Sequence, residues 1–216
     1  MTKKQKASAV LSRLKKRYPQ SECALQYGGD PWKLFVMARL SAQCTDARVN
    51  AVSIELFQRY PNAEAMANAD IRELEEAVRS CGLYRTKAAQ LKEACAILVR
   101  EHGGQIPSDM KLLLALPGVG RKIAHLLRGD VFGLGGIVAD THCIRLSGRL
   151  GFTREGERDA YKVEKALAPL IATEEQSGYC HRIVEFGRDI CTARAPKCHA
   201  CPLAELCDHH KRESKG

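Results

Sequence analysis

Leu116–His125 reads LPGVGRKIAH, with a proline and two glycines set directly before a lysine. Met110, Leu113 and Leu114 stripe a helix upstream that must end at Leu116, because Pro117 disfavours helical geometry in the residue before it. Ile123, Leu126 and Leu127 stripe a second helix downstream. Two short apolar helices therefore flank a turn through Gly118, Val119 and Gly120, whose amides have no side-chain cover. N–H groups beside a helix start bind phosphate oxygens well. On this stretch alone, a surface that a phosphodiester backbone approaches and a purely structural helical hairpin both remain open.

The rest of the chain is patterned the same way. Pro31 follows a capping Asp30, and Leu34, Met37, Ala38 and Ser41 continue a face at helical spacing. Ile71, Leu74 and Val78 do so after Asp70, as do Leu91, Cys95, Leu98 and Val99, and then Val163, Leu167 and Leu170. Ala9, Val10, Leu14 and Tyr18 give the N-terminal segment one apolar face. Breakers at Pro61-Asn62, Cys81-Gly82, His102 to Gly104 and Gly133 to Gly136 cut the chain into short pieces, with no strand alternation between them. The expectation is an all-α protein with short loops, and FGLGG (132–136) is the strongest candidate domain boundary.

Lys plus Arg number 34 against 25 Asp plus Glu, a formal net charge of +9 with a pI near 9.1. That excess favours a polyanionic partner, nucleic acid first. No apolar run reaches the roughly 18 residues of a membrane span, and the start MTKKQKASAV has no signal-peptide core. These features predict a soluble, cytoplasmic protein, nucleoid-associated if the source is prokaryotic, with no membrane partner. No exposed heptad suggests assembly, so a monomer is expected.

Three groups of residues carry chemistry. Lys122 falls in the first turn of the second helix, where the helix dipole and Arg121 both oppose its charge and favour nucleophilic use of its amine. A lysine beside a phosphate site that merely neutralises charge is the alternative. Asp140 precedes Cys143, Leu146 and Leu150 at helical spacing, which fits an N-cap; a carboxylate there could also stabilise positive charge on a sugar losing its base. Finally, Cys191, Cys198, Cys201 and Cys207 form Cys-x6-Cys-x2-Cys-x5-Cys, four thiolates within seventeen positions. A closed metal site follows from that density; zinc more often uses two close pairs, and this spacing has one. Cys23, Cys44, Cys81, Cys95, Cys143 and Cys180 read instead as reduced core cysteines. His199, His209 and His210 read as surface residues.

Taken together, LPGVGRK, the ADTH stretch whose aspartate lies eighteen residues past the lysine, SAQCTD (41–46), GLYRTKA (82–88) and the cysteine spacing closely resemble the endonuclease III family of helix-hairpin-helix glycosylases, in the expected order over essentially the whole chain. The resemblance implies a six-helix barrel over 24–134 with its hairpin at about 109–129, a cluster domain of 1–23 plus 135–216, and DNA bound in the cleft between them. It implies base excision repair on double-stranded DNA carrying damaged bases or abasic sites. Lys122 would be the nucleophile of a bifunctional glycosylase and abasic-site lyase acting on oxidised pyrimidines, and Asp140 its carboxylate. The four cysteines would hold a [4Fe-4S] cluster. Gln43 would fill the gap left by a flipped base and Leu83 would wedge opposite it. Gly118, Val119, Gly120, Arg121, Arg194 and Lys197 would bind DNA, the last two from the loop between the first two ligands.

The chain also departs from that family's pattern. Ile123, Ala124 and His125 follow the lysine where a small polar residue, an alanine and an asparagine are expected, and Arg128 and Asp130 replace neutral residues. Arg39 stands where the adenine-removing branch carries a glutamate, which argues against adenine excision. A lyase or glycosylase for a different lesion, with a pocket reshaped around His125, and a non-catalytic DNA-binding protein are the competing readings. Retention of both Lys122 and Asp140 favours the enzyme.

Overall fold

Helix starts in this chain are set by short polar side chains. Asp30 accepts from the amides of Trp32 and Lys33, with Pro31 in the first turn. Thr45, Asn62, Asp70, Asp109 and Asp159 cap in the same manner, and Thr2 forms a reciprocal capping box with Gln5. Caps of this kind stabilise by about 1 kcal/mol each. The computed structural model describes residues 1–214 and contains, among them, no strand. Its α-helices are α1 (Lys3–Arg17), α2 (Pro31–Leu40), α3 (Asp46–Arg59), α4 (Ala63–Ala67), α5 (Ile71–Ala77), α6 (Tyr84–His102), α7 (Met110–Ala115), α8 (Arg121–Asp130), α9 (Thr141–Leu150), α10 (Ala160–Leu167), α11 (Gln176–Asp189) and α12 (Asp208–Glu213). The fold is all-α, as the periodicity requires.

The chain divides into two compact units. One is Cys23–Phe132, built around α2. Leu34, Phe35, Val36, Met37 and Leu40 are all buried, so apolar residues on most sides of α2 require wrapping by other helices. Val49 and Leu56 of α3, Leu91, Cys95 and Leu98 of α6, and Ala124 and Leu127 of α8 supply that wrapping. Helix α7 packs on α8 across the turn at 116–120, which fixes the hairpin to the unit's core.

The other unit joins Met1–Glu22 to the chain from Gly133 onward. Ala7, Val10 and Leu14 of α1 enter a single core with Cys143, Leu146 and Leu150 of α9, Val163 and Leu167 of α10, and Ile183 and Phe186 of α11. Tyr18 meets Phe186 edge-on at 6.5 Å between ring centroids. Lys6 pairs with Asp208 at 2.6 Å, tying α1 to the start of α12 beside the last cysteine of the C-terminal group. The N-terminal helix is thus part of the domain that carries the four cysteines.

Among the described residues, no helix is long and apolar enough to cross a membrane. None of the ten cysteines is in a disulfide. Of the six outside the C-terminal group, Cys81, Cys95, Cys143 and Cys180 are buried as expected, whereas Cys23 and Cys44 are half-buried at the edge of the first core. The difference arises because both lie in loops flanking helices rather than on helix faces.

Candidate nucleic-acid interface and metal centre

The hairpin turn is held by a bond it makes to itself. Val119 N–H donates to Leu116 O at 3.1 Å, and the Val119 side chain is buried in the core. This refines the sequence reading: Val119 anchors the turn from below, and its amide is already engaged. Gly118 adopts φ +78, a left-handed conformation, and a Cβ there would lie 2.4 Å from Arg39 Nε and 2.7 Å from Gln90 Oε1. Gly120 differs. Its φ is −98 and a Cβ added to it would meet nothing within 4 Å, so neither backbone nor packing inside the protein demands glycine there. Gly118 serves the fold; Gly120 leaves its outer side open.

Gly120 is also the N-cap of α8, and no side chain caps that helix. Lys122 and Arg121 are exposed in its first turn. Beneath the turn, Arg39 is only 8% exposed and its Nε donates to Gln90 Oε1 at 2.9 Å, so the guanidinium backs the hairpin instead of lining an outer pocket. The residues that depart from the family pattern also have local partners. Arg121 Nη2 approaches His125 Nε2 at 3.5 Å, Arg128 Nη1 donates to Ser108 O at 2.6 Å, and Asp130 lies near the Cys23 thiol. Burial, with lesser contributions that include Asp130, pushes that thiol up to about 12.

Gln43 and Leu83 share an unusual backbone. They are the two non-glycine residues of positive φ among those described, at 55 and 49. Leu83 is 56% exposed and Gln43 is exposed as well. A bulky residue held in the left-handed region costs about 1–3 kcal/mol and persists only where its surroundings impose it. Both side chains stand exposed on this strained backbone.

Asp140 caps α9 in the other unit, its Oδ1 accepting from Cys143 N–H at 2.7 Å. The half-buried carboxylate is thereby oriented by the helix start it caps.

Cys191, Cys198, Cys201 and Cys207 line one small cavity together with Arg149, Ile190 and Pro196. Four thiols around one cavity fit a four-iron cluster, in which each iron takes one thiolate. Arg149 supplies a counter-charge, its Nη1 lying 3.2 Å from Cys191 Sγ. The same guanidinium donates to Thr192 O at 2.8 Å and Ala193 O at 2.9 Å, while Arg145 donates to Gly187 O and Cys191 O. Two arginines one turn apart on α9 thus fasten the loop that displays Arg194 and Lys197. Both of those are exposed, and Lys197 lies 3.9 Å from Asp189. Sequence reasoning missed Arg145, Arg149 and Gln90, and named Arg39 without its bond to Gln90, because an arginine serving a distant partner follows no spacing rule.

A glycine hairpin feeding an uncapped, lysine-bearing helix start, together with a four-cysteine metal domain, defines a helix-hairpin-helix protein of the iron–sulfur class. The family model described as HhH-GPD superfamily base excision DNA repair protein matches residues 36–172, and that of the iron-sulfur binding domain of endonuclease III matches 191–207. The chain is 45% identical over 207 residues to endonuclease III of Synechocystis sp., covering 95% of this chain and 93% of that one. Among solved structures it matches a non-covalent endonuclease III–DNA complex with TM-score 0.91 and 40% identity, covering 100% of both chains. A trapped endonuclease III–DNA covalent intermediate matches with TM-score 0.91 and 40% identity over 99% of this chain and 100% of that one. This chain belongs to the endonuclease III family of the HhH-GPD superfamily, and its resident cofactor is a [4Fe-4S] cluster.

Proposed function

We propose that Lys122 is the nucleophile and Asp140 the assisting carboxylate of a bifunctional DNA glycosylase and abasic-site lyase that removes oxidised pyrimidines from double-stranded DNA in base excision repair. The observation that carries this reading is the start of α8. An uncapped helix N-terminus behind an open glycine presents an exposed lysine in its first turn. A phosphodiester seated on those amides brings a nucleotide's sugar to the amine.

The reaction follows from the groups present. Lys122 Nζ gives its lone pair to C1′ of a nucleotide flipped from the duplex, the glycosidic C–N bond breaks, and the base leaves with the bonding pair and gains a proton. Asp140 stabilises the positive charge developing at C1′ and accepts a proton from the attacking amine. The sugar ring opens to a Schiff base, and loss of a C2′ proton expels the 3′-phosphate, cutting the strand. Gln43 occupies the gap in the stack and Leu83 wedges from the opposite side. Gly118, Gly120, Arg121, Arg194 and Lys197 bind the DNA backbone, with Val119 holding the turn. The cluster bound by Cys191, Cys198, Cys201 and Cys207 adds no chemistry to base removal; it fixes the loop that presents Arg194 and Lys197. An endonuclease III has been trapped covalently on DNA, which agrees with an amine mechanism here. The enzyme works as a cytoplasmic monomer, nucleoid-associated in a prokaryotic cell.

Single-turnover assays on duplexes containing thymine glycol, dihydrouracil, uracil or a preformed abasic site test the substrate class. Excision of the two oxidised pyrimidines with strand cleavage supports it, and cleavage at the abasic site alone replaces it with a specialised lyase.

A further inference from the structure

Lys87, on α6, is 0% exposed. Its Nζ donates to Leu40 O at 2.8 Å and to Cys81 O at 2.8 Å. Burying an ammonium is costly, and a well-packed apolar side chain of similar volume would fill the space without that cost. What the charge provides is a pair of strong hydrogen bonds to two backbone segments that are otherwise far apart in sequence.

Each of those segments leads directly to a strained, exposed side chain. Leu40 ends α2, where helix carbonyls lack intrahelical partners, and Gln43 follows within the same loop. Cys81 ends the short 3-10 turn Arg79–Cys81, and Leu83 follows across Gly82. Gln43 and Leu83 are the two left-handed non-glycine residues. Leu83 is itself the N-cap of α6, with no side-chain capping bond, and Lys87 N–H donates to its carbonyl at 3.0 Å. The Cys44 thiol neighbours Cys81 beside the ammonium, and burial followed by Cys44 pushes Cys81 up to about 11, which keeps it a thiol. Both loops therefore radiate from one buried cation.

We infer that Lys87 is a positioning residue for nucleotide flipping: its ammonium holds the Gln43 and Leu83 loops at one fixed spacing, so that both side chains enter the duplex together. The inference rests on the roles proposed above for Gln43 and Leu83. Lys87 touches neither DNA nor the reacting atoms. Without its donors, the two loops lose their common anchor, and the strained backbone at each relaxes independently.

The test uses full-length holoenzyme: wild type, Lys87→Met, Gln43→Ala and Leu83→Ala. Lys87→Met keeps most of the stem and removes the donors. The readouts are 2-aminopurine fluorescence from the position opposite dihydrouracil, which reports displacement from the stack, and single-turnover rates of base excision and of elimination at a preformed abasic site. Lys87→Met is expected to lower the fluorescence signal and excision by about 10-fold or more while elimination at the abasic site, where no base must be unstacked, stays within about 3-fold. An unchanged signal, or equal losses in excision and elimination, overturns the inference and leaves Lys87 a purely structural residue. If Gln43→Ala and Leu83→Ala leave the signal unchanged, the wedge roles fail and the inference fails with them; if those variants lose the signal and Lys87→Met does not, only the role of Lys87 fails. Should Lys87→Met not fold, hydrogen exchange of wild type on a lesion duplex decides. One common opening rate for residues 41–44 and 81–84 supports the inference, and unrelated rates overturn it.

Discussion

Arg39 lies directly beneath Gly118: a Cβ added to the glycine would stand 2.4 Å from the guanidinium Nε. Together with the left-handed φ of +78, this buried side chain of α2 leaves room only for glycine at the first position of the hairpin turn. The second glycine of the turn answers to no such constraint, and substitutions at the two should have different effects.

Gly118→Ala meets both the left-handed φ and the Arg39–Gln90 pair, and is expected to destabilise by about 1–3 kcal/mol. Gly120→Ala is expected to leave the melting temperature within a degree or two of wild type, roughly as for a tolerated surface change, while weakening DNA binding by about 10-fold through the lost close approach. Thermal unfolding and DNA titration of both variants check this pair. Equal destabilisation by both would remove the distinction.

Leu83→Gly should relieve the left-handed backbone and raise stability by about 1 kcal/mol even though it deletes a side chain, because Leu83 is mostly exposed. Excision from duplex DNA should fall at the same time. Urea unfolding beside single-turnover excision separates the two effects, and a loss of stability would show that Leu83 contributes packing outweighing its strain.

Asp140 caps α9, and different substitutions separate that cap from the chemical role proposed for it. Asparagine caps as well as aspartate, so Asp140→Asn should keep the fold and slow base removal by about 100-fold or more. Asp140→Ala should in addition cost about 1 kcal/mol of stability. Unchanged turnover in Asp140→Asn would reduce the residue to a cap.

Arg194 stands exposed on a loop fastened by Arg149, and Lys197 beside it is partly neutralised by Asp189. Arg194→Ala should weaken binding to all duplexes alike and lower the slope of log K against log salt by about 1, with a smaller change for Lys197→Ala. A sequence- or lesion-dependent loss would place Arg194 at a base instead of the backbone.

The sequence made helices legible where an aspartate cap preceded an apolar stripe, as at Asp30, Asp70 and Asp140, because both signals act within one turn of chain. The hairpin was legible for the same reason, through Pro117 and the glycines. What local pattern cannot carry is the long-range use of polar side chains. Arg39 under Gly118, Lys87 on the Leu40 carbonyl, and Arg149 across the cysteine loop each pair with residues tens of positions away, and their own neighbours in sequence look like ordinary helix faces. The engagement of the Val119 amide was hidden too, since a turn's internal hydrogen bond depends on backbone angles and leaves no mark on residue type.

In the function proposed above, the Lys122 amine forms a covalent bond with C1′. Borohydride reduction of holoenzyme with duplex DNA containing dihydrouracil, comparing wild type with Lys122→Ala and recording DNA binding alongside, tests that bond. A stable protein–DNA adduct with wild type, none with Lys122→Ala, and similar binding by both are expected. An adduct that persists in Lys122→Ala, or no adduct with a wild-type protein that still binds the duplex, would contradict it.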